Sequence, residues 1–288
     1  MPVSSDSHQT PQHISGESPV GRDPCSKLSI VQYWHSAELP VDVQEITISF
    51  GDLNPEAQHT IFNRSSAESF IAAYFSTREV EAFRACVPGA MQADYFRYCA
   101  TYVLGGIYAD ADLKCVANLA PLLDDGVGAL FGRTELDRMW TKALGYSYQV
   151  GDYYVIGNGF FAVNAPRKRL LQTAIDIATT NIEKRIADGP EGIWLTAGPG
   201  VFTSLYLLNE LGSIDAFLRF TRGTALAVLA PIVCDIVANA DDVTSMFAGM
   251  VLRPHSARRA WVEPVRVRRS GHSVERYWQA WQGTIYSE

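Results

Sequence analysis

D-Y-F-R-Y-C-A-T-Y-V-L-G-G-I-Y-A-D-A-D-L-K, Asp94 to Lys114, reads as a helix, a Gly105-Gly106 corner, a short strand and then two carboxylates one residue apart. In extended backbone, residues i and i+2 face the same side, so Asp110 and Asp112 can converge on one cation or polar ligand. Asp94 and Arg97, three apart on a helical pattern, share a face of the helix before the corner. That much charge inside an apolar stretch is costly unless a metal or ligand pairs with it. The segment therefore reads as a site for a divalent cation and an anionic ligand.

Working outward, the spacing predicts a helix over about Ala90–Leu104, ended by the two glycines, and a strand over Ile107–Ala109 that delivers Asp110. Upstream, Lys27–Trp34 reads as the first strand. Trp34 at its end admits two readings, a platform for a base or a ring packed at the core edge. Val43–Phe50 alternates weakly and reads as a further strand, as does Thr60–Phe62. Ser65 and Glu68 form a capping pattern that starts a helix near Ser66, and another helix covers about Glu79–Cys86 until Pro88-Gly89 breaks it.

Downstream, Leu119–Leu123 predicts a short helix and Val127–Phe131 a strand, with residues 133–152 irregular. Tyr153–Ile156 and Phe160–Val163 read as strands around Gly157-Asn158-Gly159. A long helix follows from Pro166 to about Ile186. L-T-A-G-P-G, Leu195–Gly200, is a glycine-rich loop entering a helix through about Leu211, an arrangement able to accept an anion or sugar hydroxyl. It lacks the G-K-[ST] ending of a phosphate loop. Ala225–Val237 reads as one or two apolar strands and residues 246–256 as another. His272 precedes a short helix with Trp278 and Trp281.

With 288 residues and 47% hydrophobic content, the chain suits one large α/β domain over 27–288 behind a disordered, polar tail at 1–26. The five cysteines are scattered, without the close spacing of a metal knuckle or redox pair, which fits reduced thiols. No apolar run reaches membrane-spanning length, and the first residues lack a secretory signal pattern, which points to a cytoplasmic protein. Peripheral membrane association and non-Sec export stay open. The net charge is −7, yet residues 253–288 hold seven arginines against three glutamates, a surplus of four, so the first 252 carry −11. A net acidic chain argues against nucleic acid as partner, and the basic terminal stretch reads as a solvated face.

Taken together, the segments over roughly 28–281 resemble the glycosyltransferase sugar-binding family that carries a DXD motif. It includes fungal initiating α-1,6-mannosyltransferases and bacterial capsule enzymes, with the large bacterial toxin glucosyltransferases more distant. The most specific part, D-Y-F-R-Y-x5-L-G-G-I-Y-A-D-A-D, is similar to the family's S-D-L-x-R-Y-x5-x-G-G-I-Y-x-D-x-D. L-N-P-E, G-N-G-F-F-A-V-N-A-P, L-T-A-G-P-G and the terminal His and Trp residues match other family segments. Ala93 stands where the family often has Ser, and Ala280 where Ser commonly precedes the last Trp.

The resemblance implies a GT-A type fold with a single Rossmann-like mixed sheet flanked by helices. It implies transfer of a hexose from a UDP- or GDP-sugar to an acceptor hydroxyl on a glycan, lipid-linked or protein acceptor. The cofactor would be Mn2+ or Mg2+, the anomeric configuration retained, and the setting polysaccharide or glycoconjugate synthesis. By the same resemblance Asp110, Asp112 and Arg97 are catalytic. Asp112, with Asp110 and His272, would hold the metal. Trp34, Asp94, Arg97, Tyr108, Asp110, Asn158, Gly198 and Gly200 would bind donor or acceptor. Two rival expectations are a toxin- or effector-like transferase acting on a protein, and a non-catalytic nucleotide-sugar-binding module.

Overall fold

A computed structural model of the protein describes residues 27–124, 129–135, 154–237, 240–265, 268–269, 272–273 and 284–287. The tail expected at 1–26 and the helix expected around Trp278 and Trp281 lie outside these residues.

The first strand, β1 (Ser29–Tyr33), is followed by α1 (Val41–Leu53), β2 (Gln58–Phe62), α2 (Arg64–Tyr74), α3 (Thr77–Ala85) and α4 (Gly89–Leu104). Then come β3 (Gly106–Ala109), β4 (Leu113–Cys115), α5 (Pro121–Asp124), β5 (Ala129–Glu135) and β6 (Tyr154–Val163). The later part holds α6 (Arg169–Lys184), α7 (Gly189–Thr196), α8 (Pro199–Leu211), α9 (Ile214–Thr221), a 3-10 turn (Ala225–Val228), α10 (Ala230–Ile236) and α11 (Ala240–Phe247). β7 (Met250–Pro254), a 3-10 turn (His255–Ala260) and β8 (Val262–Pro264) follow.

Six strands make one mixed sheet in the order β2-β1-β3-β6-β5-β7. β1 is parallel to both β2 and β3, whereas β6 runs antiparallel to β3 and β5, and β7 is parallel to β5. This is the mixed α/β sheet flanked by helices that the resemblance implies. Side chains alternate strictly across it. Val31, Tyr33, Tyr108, Phe161 and Val163 enter the larger core, under α4, α6 and α8. Ile30, Ile107, Ala109, Phe160 and Ala162 enter a smaller core with Phe50, Leu113 and Leu119. Both faces are covered, which is why the central strands read as continuous apolar runs rather than alternating ones.

Two expected strands are helices. In Val43–Phe50 the buried residues are Val43, Ile46, Thr47 and Phe50, the i, i+3, i+4, i+7 stripe of an amphipathic helix. The β-branched content disguised that period as weak alternation. Ala225–Val237 forms a 3-10 turn and α10 instead, with Ala230, Ile232 and Val233 buried. Leu195 and Thr196, read as loop, close α7. The two strands expected around Asn158 are one continuous β6, with a register shift between Phe131 and Gly132 of its partner absorbing the irregularity. At α2, Asn63 and Ser66 form the reciprocal cap, two residues earlier than expected, while Glu68 pairs with Arg84 at 2.7 Å.

The motif segment folds as its spacing dictates as far as Asp110; beyond it the extended backbone expected through Asp112 is instead a turn, closed by Leu113 N–H donating to the Asp110 carbonyl at 3.0 Å. α4 ends at Gly105, whose φ of 62° and the 81° of Gly106 suit glycine. At Gly106 a side chain would also collide with the Ser29 carbonyl of β1. The corner thus turns α4 directly into a strand pressed against β1. Cys86, Cys99, Cys115 and Cys234 are free thiols, as expected.

Candidate functional site

β1 and β3 run parallel, so Trp34 and Asp110 emerge at the same, carboxyl end of the sheet, where open α/β sheets hold ligands. α4 lies across the sheet with Asp94, Arg97, Tyr98 and Thr101 on one buried stripe. This stripe and the end of β3 meet at one guanidinium. Arg97 Nη2 is 3.0 Å from Asp94 Oδ1 and 2.9 Å from Asp110 Oδ1. Its Nε donates to the Ala93 carbonyl at 3.1 Å, and its Cζ stands 4.6 Å over the Tyr108 ring. The Tyr108 hydroxyl donates to the same Asp110 Oδ1 at 3.2 Å. Tyr108 is wholly buried and stacks on Phe161, so it floors the cluster from beneath.

β6 supplies the opposite wall. Asn158 Nδ2 donates to Asp94 Oδ1 at 3.0 Å and to the Tyr98 hydroxyl at 3.1 Å. The Tyr98 hydroxyl in turn donates to the Gly198 carbonyl at 3.0 Å. Asp110 N–H donates to the Gly159 carbonyl at 2.8 Å. A side chain at Gly159 would run into Asp110 Oδ2. Glycine there lets the carboxylate of Asp110 occupy space beside the strand.

Electrostatics follow from this crowding. Burial pushes the Asp94 carboxyl up to about 6, and the neighbouring Asp110 charge adds to the rise, against Arg97 and the Asn158 amide. Burial works against the Arg97 guanidinium, but Asp110, Tyr108 and Asp94 outweigh it and hold the arginine above its usual range. Asp112 is raised, first by burial and then by Asp110, with Arg258 pulling the other way.

The other expected site residues are placed as follows. Trp34 is 8% exposed and packs with Val43, Ile46 and Ala111, the residue between the two aspartates. Gly198 and Gly200 lie against α7. A Cβ at Gly198 would be 2.9 Å from the Ile193 and Trp194 carbonyls, and one at Gly200 2.9 Å from the Trp194 ring. Close helix packing therefore accounts for both glycines, and the Gly198 carbonyl joins the site through Tyr98. His272 enters as a backbone position in a two-residue strand paired with Arg268–Arg269; its side chain lies outside the described part.

Two residues were not picked out from the sequence. Gln32, fully buried on β1, donates through Nε2 to the Asp110 carbonyl at 3.3 Å and is held by His59 at 2.8 Å. Arg258 lies near enough for the charges of both aspartates to act on it, and Val265, seven residues on, is bonded to the Asp112 carbonyl. Gln32 sits in an apolar strand, where one amide carries no signal, and Arg258 was hidden among seven arginines.

Asp110 and Asp112 fit a hard divalent cation. Asp110 Oδ1 is committed to Arg97 and Tyr108, which leaves Oδ2 and the Asp112 carboxylate as ligands. Among the described residues no group of three His, Cys, Asp or Glu forms a metal cluster. Mg2+ and Mn2+ suit one or two carboxylates completed by water and substrate phosphates.

The profile of the glycosyltransferase sugar-binding region containing DXD motif matches residues 40–127, which hold α1 through the Asp110-Ala111-Asp112 turn. Residues 40–127 are thus similar to that sugar-binding region, over less than a third of the chain. The putative glycosyltransferase HOC1 of Saccharomyces cerevisiae is 33% identical over 113 residues, covering 37% of this chain. The match spans only 28% of that relative's length. Among solved structures, PaToxG Glycosyltransferase aligns over 82% of this chain and 89% of its own, with a TM-score of 0.43 and 14% identity. The matched region contains Asp94, Arg97, Tyr108, Asp110 and Asp112, whereas Asn158, Gln32 and Arg258 lie outside it.

Proposed function

We propose that this protein is a glycosyltransferase that moves a hexose from a UDP- or GDP-sugar to an acceptor hydroxyl, retaining anomeric configuration, in polysaccharide or glycoconjugate synthesis. The observation that carries the reading is the double bridge made by Arg97. It joins the sugar-facing acid of α4 to the first acid of the DXD turn at 3.0 and 2.9 Å. A structural ion site needs no such buried arginine.

In the reaction the bond between the anomeric carbon and the diphosphate oxygen breaks, with its electron pair passing to that oxygen. The acceptor oxygen bonds to the same carbon and its proton leaves to solvent. A Mn2+ or Mg2+ ion, when bound, offsets the charge on the diphosphate as a Lewis acid. Asp112 and Asp110 Oδ2 would hold it. Asp94 and Asn158, held by each other, orient donor-sugar hydroxyls, with Arg97 near the phosphate. Gln32 and Leu113 N–H fix the Asp110 carbonyl at 3.3 and 3.0 Å, which sets the direction of the turn. Trp34 takes the base and the Gly198–Gly200 stretch the acceptor side. Glycan, lipid-linked and protein acceptors all present the required hydroxyl.

The test is a thermal-shift screen of UDP- and GDP-sugars with and without Mn2+, followed by donor hydrolysis. A ligand bound only by the native state raises its melting temperature. Stabilisation by one nucleotide sugar with Mn2+, and hydrolysis lost in Asp112→Ala, are expected. Hydrolysis indifferent to metal and to Asp112 would sink the proposal.

A further inference from the structure

Arg258 stands in the 3-10 turn His255–Ala260 after β7. The chain around it is laced to the DXD turn. Trp261 N–H donates to the Arg258 carbonyl at 2.8 Å, and the Trp261 carbonyl accepts from Val116 N–H at 2.8 Å. β8 pairs antiparallel with β4, immediately after the aspartates. Val265 N–H then donates to the Asp112 carbonyl at 2.8 Å. The residues on the far side of Arg258 are thereby fastened to Asp112 itself.

The guanidinium is partly buried and makes no hydrogen bond or ion pair with a described residue. Burial and Arg259 disfavour its charge, while Asp110 and Asp112 favour it. It thus feels both carboxylates without an ion pair to either. Among the described residues its five donors find no side-chain acceptor, and a partly desolvated guanidinium without one is costly. Its planar fork suits phosphate oxygens.

We infer that Arg258 is a donor-binding residue that grips the diphosphate of the nucleotide sugar beside the two aspartates. This rests on the nucleotide-sugar reading above. As the anomeric bond breaks, the diphosphate gains one negative charge, and Arg258 meets that charge from chain outside the family-matched region. A cation at Asp110 and Asp112 and the guanidinium of Arg258 then flank the same anion.

Titration calorimetry of the full chain with UDP and GDP in Mn2+, beside electron paramagnetic resonance titration of Mn2+ alone, tests it. Arg258→Gln is expected to weaken whichever diphosphate the wild type binds by about tenfold or more, the worth of one charge-assisted hydrogen bond. Mn2+ affinity should stay the same or tighten, because a like charge is removed. Arg259→Gln, with the same charge loss, should bind both as the wild type does. Undiminished diphosphate affinity in Arg258→Gln overturns the inference, as does a parallel loss of Mn2+ affinity, which would make the residue a prop for the turn. If Arg258→Gln does not fold, Arg258→Lys replaces it. Lysine keeps the charge but not the fork, so a severalfold loss is expected, and unchanged affinity overturns the idea. A wild type that binds no nucleoside diphosphate with Mn2+ removes the nucleotide-sugar reading itself, and this inference with it.

Discussion

Arg97 and Asp110 meet at 2.9 Å across 13 residues of chain, and that contact locks the end of β3 to the middle of α4. The same Nη2 also holds Asp94, so one guanidinium decides where both acids sit. Arg97→Lys offers a single ammonium without the planar fork and cannot reproduce the bridge. A fall of about 100-fold or more in kcat/KM for donor hydrolysis is expected, or roughly 3 kcal/mol of lost stabilisation. Arg97→Gln leaves two acids without their partner and should also cost about 3–5 kcal/mol of unfolding free energy. Hydrolysis kinetics and urea denaturation measure the two separately.

Gly159 and Asp110 make a second relationship open to test. Gly159→Ala places a methyl where Asp110 Oδ2 now lies, so the carboxylate must turn. We expect Mn2+ affinity to fall at least about tenfold while overpacking costs no more than about 1–3 kcal/mol. Wild-type affinity in the alanine variant would remove Oδ2 from the ligand set.

Asp94 carries a pH signature. Its carboxyl is raised by burial to about 6, above the unfolded value. Its contribution to stability is therefore fully present below the unfolded pKa and is lost as pH rises through the folded one. The difference in unfolding free energy between wild type and Asp94→Asn should fall, by up to roughly 3 kcal/mol, from about pH 4 to above pH 6. A flat difference across that window would show that the carboxyl ionises as it does in the unfolded chain.

Trp34 has two separable duties. At 8% exposure among Val43, Ile46 and Ala111, truncation to alanine should cost about 3–5 kcal/mol. Trp34→Leu keeps apolar bulk but no aromatic face. If the ring carries the base, UDP or GDP binding should weaken by about 1–3 kcal/mol, a typical worth of one stacked base. Unchanged nucleotide affinity in a calorimetric titration would assign Trp34 to packing alone.

Much of the central segment was legible because its signals are local. Two glycines can end a helix and turn a corner, and the observed α4 and β3 begin within a residue of the predicted bounds. The strand at Ser29–Tyr33 and the helix after Gly198 were similarly marked by apolar runs and punctuation. Val41–Leu53 was misread because its helical stripe is made of Val, Ile, Thr and Phe, which favour strands when considered singly. Gly198 and Gly200 carried a signal with two causes, ligand contact and close packing, and only the Trp194 ring beside them distinguishes the second.

The sequence by itself determined that Asp94 and Arg97 would share a helix face, and that a glycine corner would join that helix to the strand that ends before Asp110. These follow from backbone periodicity, which acts over a few residues. The tertiary structure alone decided which oxygen of Asp110 is spent on Arg97, that Asn158 reaches Asp94 across 64 residues, that Asp110–Leu113 closes as a turn, and that the chain after Arg258 is bonded to that turn. Those distances are fixed when two faces of a mixed sheet are buried at once, and residue spacing does not encode that closure.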